Sequence, residues 1–397
     1  MNKGYRRTLY ASYIGYITQA IVNNLAPLLF VIFQREYGLT VTQIGFLVTF
    51  NFGVQILVDL LSARYAEKLG YRSCIVAAHI FSTVGLVGLG LFPQILGNAY
   101  AGLLLAITIY AIGGGVIEVL VSPIVEALPT EEKSSAMSLL HSFYCWGHAA
   151  VVILTTVFFA VAGTENWKLL TVLWAIVPAV NIFLFAGAPI RVLSEGGESM
   201  PIKQLFRKKI FWLLCILMIC SGAAEQAMSQ WASYFAETGL RVSKSLGDLL
   251  GPCLFAVLMG ISRLIYGIKG DKIPLKAFII CSGILCVISY LTAVFSPVPL
   301  ISLVGCAVCG LSVGIMWPGV FSLASEHCPQ GGTAMFAFLA LAGDLGCGGG
   351  PSVVSIVSGA ADSNLKAGLL AAIVFPVVLI AGIPFLKKLR PQALQAK

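Results

Sequence analysis

Long apolar runs separated by short polar segments dominate the sequence. Twelve runs each hold about 20 or more mostly apolar residues, the length an α-helix needs to cross the hydrocarbon core of a bilayer. The predicted membrane spans cover residues 8–33, 42–62, 73–93, 99–124, 135–161, 167–188, 209–235, 245–267, 274–295, 299–325, 332–358 and 365–386. This pattern predicts an all-α polytopic membrane protein.

The composition supports the same class. Of 397 residues, 58% are hydrophobic and only 11% are charged, whereas a soluble domain usually carries about 25% charged residues. The basic start leads into a run too long for the apolar region of a signal peptide. We therefore interpret the first run as a membrane span, with the lipid bilayer as an obligatory partner.

The basic residues predict the orientation of the chain. Most of the 25 Lys and Arg residues fall on the side of the N-terminus, and the other side receives only Arg35, Lys168, Arg241, Lys244 and Lys366. By the positive-inside rule, both termini are cytoplasmic. The net charge of +8 then reflects topology, not nucleic-acid binding. We expect a monomer in a bacterial inner membrane.

The longest polar interruption divides the chain into similar halves. The predicted organisation is a six-helix bundle over residues 1–190, a cytoplasmic linker over 191–208 and a second six-helix bundle over 209–397. The segment 63–72 after span 2 is echoed by 267–276 after span 8, since both place an acid and a Lys at the same spacing. Duplicated halves within one membrane chain are typical of secondary transporters.

Ionisable residues within the apolar runs are the first candidates for function. A charged side chain near the centre of a bilayer costs roughly 2.5–3.5 kcal/mol on insertion scales, so it marks a functional site by default. Glu118 follows a glycine run in span 4, Glu225 lies within span 7 and Asp344 lies within span 11. Each could take a proton on one side of the membrane and release it on the other. The alternative is a neutral acid that donates an interhelical hydrogen bond.

Amides and deep tryptophans are the candidate substrate contacts. Asn51, Gln55 and Asp59 are spaced by four residues, so they form one polar stripe on span 2, and lipid would leave that stripe unsatisfied. The predicted substrate-binding set is Asn23, Asn24, Asn51, Gln55, Glu118, Trp146, Gln226, Gln230, Trp231 and Trp317. Each tryptophan could instead serve packing. A structural or gating role is predicted for Asp59, Arg64, Arg263 and Asp271, and Arg263 requires a carboxylate partner.

Enzyme and channel functions are disfavoured. The eleven cysteines are scattered through apolar runs, and we predict no metal site, cofactor or disulfide. His141 and His148 have no neighbouring carboxylate on their span, so no catalytic residue is predicted. The chain also has no repeated filter loop of the kind that ion channels use.

The acid–Lys segments resemble the cytoplasmic loop signature of the major facilitator superfamily, which implies a fold of two six-helix bundles. Three stretches resemble its fucose–proton symporter branch: Asn23-Asn24-Leu25, Gly115 to Pro123 around Glu118, and Met316 to Leu323. The resemblance implies proton-coupled import of a sugar or similar small polar nutrient by alternating access, with sodium as the alternative coupling ion.

One position departs from that branch. Ala26-Pro27 stands where fucose transporters place an aspartate, so coupling must rest on other carboxylates or be absent. A drug or metabolite exporter with the same fold is the alternative function. Residues 142–161 contain only Gly147 and no proline, which disfavours the glycine- and proline-rich antiporter motif of such exporters.

Overall fold

The computed structural model describes residues 3–129, 133–190, 201–269, 274–328 and 331–388. Its described residues form helices and no strand, which confirms the predicted all-α class. Twelve helical spans are long and apolar enough to cross a membrane: Tyr5–Tyr37, Val41–Ser62, Tyr71–Ile95, Ala99–Glu126, Leu139–Ala162, Thr164–Ala186, Lys209–Gly239, Lys244–Tyr266, Leu275–Phe295, Pro299–His327, Met335–Ala360 and Leu365–Leu386. They are called spans 1 to 12 below. The twelve predicted spans are thus confirmed.

Six spans lie within single continuous helices. These helices cover Val41–Leu69, Tyr71–Ile95, Ala99–Glu126, Lys133–Ala162, Leu275–Phe295 and Gly332–Ala360. The other six spans are built from more than one helical segment: span 1 from Lys3–Asn24, Ala26–Leu29 and Phe30–Tyr37; span 6 from Thr164–Asn166 and Trp167–Ala186; span 7 from Lys209–Ser229, Ala232–Tyr234 and Phe235–Gly239; span 8 from Lys244–Asp248, Leu249–Cys253 and Leu254–Lys269; span 10 from Pro299–Val313 and Met316–His327; and span 12 from Leu365–Ala371 and Val374–Lys388.

Some interruptions follow directly from local sequence. Pro27 has no backbone N–H, and the chain around it tightens into the 3-10 turn Ala26–Leu29. Spans 7 and 8 instead widen into the π-helical segments Phe235–Gly239 and Leu249–Cys253, the second of which contains Pro252. Such π segments occur frequently at functional sites.

Two helix starts are fixed by side-chain caps. Thr40 and Gln43 form a capping box before span 2, in which the Thr40 hydroxyl accepts from the Gln43 N–H over 3.2 Å and Gln43 Oε1 accepts from the Thr40 N–H over 2.9 Å. The Asn98 side chain likewise accepts from the Ala101 N–H over 3.1 Å before span 4. These bonds satisfy N–H groups that a helix start otherwise leaves unpaired.

The chain divides into two compact units. Unit 1 comprises Met1–Ser194 and Ala232–Val257, and unit 2 comprises Glu195–Trp231 and Leu258–Lys397. Residues 232–257, from spans 7 and 8, thus group with the first unit. The predicted bundle boundaries at 190 and 209 stay a prediction. Within the predicted linker, a short helix covers Ile202–Arg207, and residues 191–200 lie outside the described part.

Within each unit, glycines allow helices to pack closely. In unit 1, Gly113 on span 4 faces the Ala78 carbonyl and Ser82 on span 3, where a side chain would collide. In unit 2, Gly346 on span 11 faces the Ile219 carbonyl on span 7 in the same way. The close packing expected from the glycines of span 11 is present at this position.

Candidate functional site

A connected set of polar side chains joins spans 1, 2 and 4 in unit 1. Gln19 Nε2 donates to Glu118 Oε2 over 2.7 Å and to Gln55 Oε1 over 3.0 Å. Gln55 Nε2 donates to Asn23 Oδ1 over 2.9 Å, and Asn51 Nδ2 donates to the same oxygen over 3.2 Å. We call these five side chains, Gln19, Asn23, Asn51, Gln55 and Glu118, the amide–carboxylate network.

Helical spacing explains why these residues meet. Gln19 and Asn23 are four residues apart on span 1, and Asn51 and Gln55 are four apart on span 2, so each pair lies on one face of its helix. Span 4 approaches them through Gly114, at which a Cβ would lie only 3.0 Å from Gln19 Oε1. The glycine before Glu118 therefore leaves room for the amides.

The central member of the network is Gln19, which the sequence analysis missed. Its amide is the direct link between the Glu118 carboxylate and the amides of spans 1 and 2. The available signal was its spacing of four residues from Asn23. A hydrogen bond to a charged acceptor is roughly twice as strong as one between neutral groups, so Gln19 stabilises the ionised form of Glu118.

Two tyrosine hydroxyls, one on span 1 and one on span 5, bind side chains of the helices that carry the network. Asn24 Nδ2 donates to its own helix at the Ala20 carbonyl over 2.9 Å and to Tyr144 Oη on span 5 over 3.3 Å. Tyr16 Oη lies 2.9 Å from Ser122 Oγ on span 4. Of the predicted substrate contacts, Asn23, Asn51, Gln55 and Glu118 thus share one network. Asn24 follows Asn23 in the chain but bonds to Tyr144 instead of to the network.

The predicted gating residues fall in different places. Asp59 is half-buried, and a Cβ on Gly115 would lie 3.1 Å from its Oδ1, so Asp59 faces span 4 three residues before Glu118. The Arg64 side chain and Asp271 lie outside the described residues, so their predicted gating role stays a prediction.

Unit 2 has its own chain of polar side chains. Arg263 Nη2 on span 8 lies 3.5 Å from Glu225 Oε2 on span 7, which gives Arg263 the carboxylate partner that the sequence required. Gln226 Nε2 donates to Glu225 Oε1 over 3.2 Å, and Gln230 Nε2 donates to Gln226 Oε1 over 3.0 Å. The positive charge of Arg263 lies next to the Glu225 carboxylate, whereas the Glu118 carboxylate is bonded to the uncharged amide of Gln19.

The tryptophans and Asp344 occupy contrasting environments. Trp231 is completely buried, and its indole N–H donates to the Pro351 carbonyl over 3.2 Å, as a packed side chain would. Trp317 is half-buried and lies against Gly343, next to the buried Asp344. Trp146 in unit 1 is 39% exposed. Their predicted roles in substrate binding or coupling stay predictions.

Besides the Arg263–Glu225 pair of unit 2, the structure has a second ionic cluster, which lies in unit 1 around Lys244 and was not predicted. Lys244 Nζ lies 3.1 Å from Asp248 Oδ2 and 3.9 Å from Glu237 Oε2, and it donates to the Leu28 carbonyl over 2.7 Å. Ser233 Oγ donates to Asp248 Oδ1 over 2.5 Å. These contacts fasten residues of spans 7 and 8 to the interrupted part of span 1, where the Pro27 turn lies.

The described residues contain no group of three or more His, Cys, Asp and Glu side chains placed to hold a metal ion. Cys286 Sγ and Cys309 Sγ lie 3.9 Å apart, and all eleven cysteines are free thiols.

Sequence comparisons match the chain over most of its length. The family model of the Major Facilitator Superfamily matches residues 12–351. The membrane protein MosC of Rhizobium meliloti is 23% identical over 359 residues, which cover 90% of this chain and 84% of MosC. The multi-drug resistance efflux pump PmrA of Streptococcus pneumoniae serotype 4 is also 23% identical over 359 residues, with 87% of each chain covered.

Solved transporter structures share the fold. A bacterial homolog of the human lysosomal transporter Spinster superposes with a TM-score of 0.79 at 14% identity, covering 98% of both chains. The D-xylose–proton symporter gives 0.75 at 15% identity, covering 97% of both chains. The E. coli fucose:proton symporter FucP gives 0.66 at 17% identity, covering 97% of this chain and 99% of FucP. At these identities the likeness establishes the fold.

Proposed function

The chain belongs to the Major Facilitator Superfamily, and from this premise we propose that it is a proton-coupled secondary transporter that imports a sugar or similar small polar nutrient. Its family and fold are those of membrane transporters, and its twelve spans make it a multi-pass membrane protein. The substrate, the coupling ion and the direction of transport are parts of the proposal.

One observation carries the proposal: the Glu118 carboxylate is joined to amides of two other spans through Gln19. A carboxylate within a membrane span is costly and marks an ion or substrate pathway. Four neutral amides around it offer hydrogen bonds without a compensating charge. Such a set of amides suits a solute rich in hydroxyl groups. The Glu118 carboxylate can then bind and release a proton.

The hydrogen bonds of Gln19 support a link between protonation of Glu118 and binding of the solute. While Glu118 is ionised, Gln19 donates one N–H to it and the other to Gln55. Protonation of Glu118 removes the charge that strengthens the first bond. The Gln19 amide then reorients more easily, and with it the acceptors that it holds in place. Proton binding and solute binding thereby share one side chain, and transport proceeds by alternating access.

Export of a drug or metabolite is the second candidate. The observation in its favour is the likeness to a relative named as a multi-drug resistance efflux pump. In that case Glu118 would attract a cationic solute, and protonation of Glu118 would release it. The same network serves both candidates, so substrate chemistry and direction must be measured.

The first experiment is a stabilisation screen on detergent-purified protein with monosaccharides, nucleosides, organic acids and lipophilic cations. A ligand that binds only the folded state at a hundredfold excess over its Kd stabilises by about 2.7 kcal/mol. Stabilising sugars would then be tested for accumulation in proteoliposomes under an inside-alkaline gradient. A response to lipophilic cations alone would reject sugar import and favour export.

The proposed membrane and orientation of the protein rest on the distribution of its Lys and Arg residues. Basic residues on the side of the N-terminus support cytoplasmic termini, and the two named relatives come from bacteria. We therefore place the protein in a bacterial inner membrane. Reporter fusions at Lys397 and at the span 1–2 connection would report opposite sides of the membrane if the orientation is correct.

A further inference from the structure

The amide–carboxylate network has buried hydrogen-bonding atoms that the fold does not use. Gln19 Oε1 and Asn51 Oδ1 have no hydrogen-bond partner among the described residues. Their side chains are only 3% and 6% exposed, respectively. A buried polar atom without a partner costs free energy, so it requires an explanation in a native structure. Both atoms are carbonyl oxygens, which accept hydrogen bonds and do not donate them.

The network carries a negative charge whenever Glu118 is ionised. Glu118 is its only ionisable member, and it is bonded to an uncharged amide. Asp59 faces the same span at Gly115, three residues before Glu118. Basic side chains of unit 1 whose contacts are described bind main-chain carbonyls or other carboxylates, namely Arg7, Arg35, Arg72, Lys168 and Lys244. Among the residues that the structure describes, no basic side chain is bonded to Glu118.

We propose that this network recognises its solute through the hydrogen-bond donors of the solute, and that it rejects solutes carrying a carboxylate or phosphate. The inference rests on the proposed transport function and specifies the substrate class of the same site. The preferred solute carries no negative charge and has hydroxyl or ammonium groups that donate to Gln19 Oε1 and Asn51 Oδ1. While Glu118 is ionised, an anion placed beside it would bring like charges together in a site of low polarity, which weakens binding of the anion.

The proposal predicts an order of affinities within sets of matched compounds. One set is glucose, glucosamine and glucuronate, and a second set is a lipophilic alcohol, amine and carboxylate of equal carbon number. Binding to the purified full-length protein is measured by calorimetry at one pH and ionic strength. In each set that binds, the Kd of the anionic member should be at least about tenfold higher than that of the neutral member. The ammonium member should bind at least as well as the neutral member.

Variants assign this selectivity to the network. Glu118→Gln should shrink the penalty on the anionic member, because the like charge is removed. Gln19→Leu removes an unpaired acceptor and should weaken binding of the neutral member about tenfold. Thr18→Val is the matched control, since Thr18 is equally buried on the same helix and donates only to its own Ile14 carbonyl, over 3.0 Å. Its affinities should equal those of the wild type.

The outcomes separate this inference from the proposed function. If the anionic member of a set binds as tightly as its neutral member, the inference is overturned while the transporter proposal stands. Binding restricted to the lipophilic set, in the predicted order, would support the inference and reject sugar import. Equal losses in Gln19→Leu and Thr18→Val would also overturn the inference. Binding of no member in either set would count against both.

Discussion

The ion pair between Arg263 and Glu225 in unit 2 gives the sharpest energetic prediction. The two side chains are 19% and 8% exposed, and the closest nitrogen and oxygen are 3.5 Å apart. Arg263→Met keeps most of the apolar length of the side chain and removes its charge. The variant leaves a buried carboxylate without its cation, so we expect a large loss of stability.

The distance sets the scale of that loss. At an effective dielectric constant of about 20, opposite unit charges 3.5 Å apart attract by about 5 kcal/mol. Removing one partner of a buried pair typically costs about 3–5 kcal/mol, whereas removing both is often nearly neutral. We therefore expect Arg263→Met to lose about 3–5 kcal/mol of unfolding free energy. Adding Glu225→Gln to that variant should recover more than half of the loss.

The assay is reversible denaturation in mixed micelles at fixed pH, with the four proteins of the double-mutant cycle measured together. The same unit offers a control pair of equal length, because Lys276 Nζ also lies 3.5 Å from Glu326 Oε1 but the side chains are 26% and 44% exposed. Lys276→Met should cost about 1 kcal/mol or less. A loss in Arg263→Met no larger than this control, or strictly additive effects in the cycle, would refute the reasoning.

Two further predictions concern packing and the second ionic cluster. Lys244→Met should destabilise the protein by about 3 kcal/mol, because Asp248 is 1% exposed and loses its cation. The control is Lys168→Met at the more exposed Lys168–Glu36 pair, which should cost about 1 kcal/mol or less. Denaturation curves that do not distinguish the two variants would contradict the buried-charge argument. Gly346→Ala should destabilise by about 1–3 kcal/mol, because its Cβ would collide with the Ile219 carbonyl. Gly349→Ala meets open space and should be neutral or stabilising, so equal melting temperatures would remove the packing role of Gly346.

The sequence predicted the spans because bilayer thickness imposes a length that soluble folds do not share. It also predicted that the polar stripe of Asn51 and Gln55 faces protein or water, since an amide facing lipid is unsatisfied. The structure places both side chains against Asn23, another predicted substrate contact. These predictions depended on local spacing, which a single helix carries in its own residues.

Partners across helices could not be predicted in the same way. Nothing in the sequence distinguishes Glu225 from the other buried carboxylates as the partner of Arg263, because the pairing depends on how two helices pack. Gln19 was missed because its spacing of four residues from Asn23 does not show which side chain of another helix it meets. Its importance comes from Glu118, ninety-nine positions away in the chain.

The helix interruptions show a similar limit. Pro27 marks the 3-10 turn of span 1 from sequence alone. The π segment Phe235–Gly239 has no such residue, and its backbone geometry arises where residues 232–257 pack within unit 1. The contacts of Lys244 belong to the same region: its spacing of four residues from Asp248 is visible in the sequence, whereas its bond to the Leu28 carbonyl depends on how two spans pack.

The most direct test of the central claim is the proton flux that accompanies solute movement. Wild-type protein and Glu118→Gln are reconstituted in proteoliposomes containing a pH-sensitive dye, and a solute found in the stabilisation screen is added outside without an imposed pH gradient. The account predicts that wild type acidifies the lumen as solute enters, and that Glu118→Gln exchanges solute without moving protons. Glu326→Gln, which alters an exposed carboxylate, should behave as wild type. Solute-driven acidification of equal size in Glu118→Gln would contradict the account.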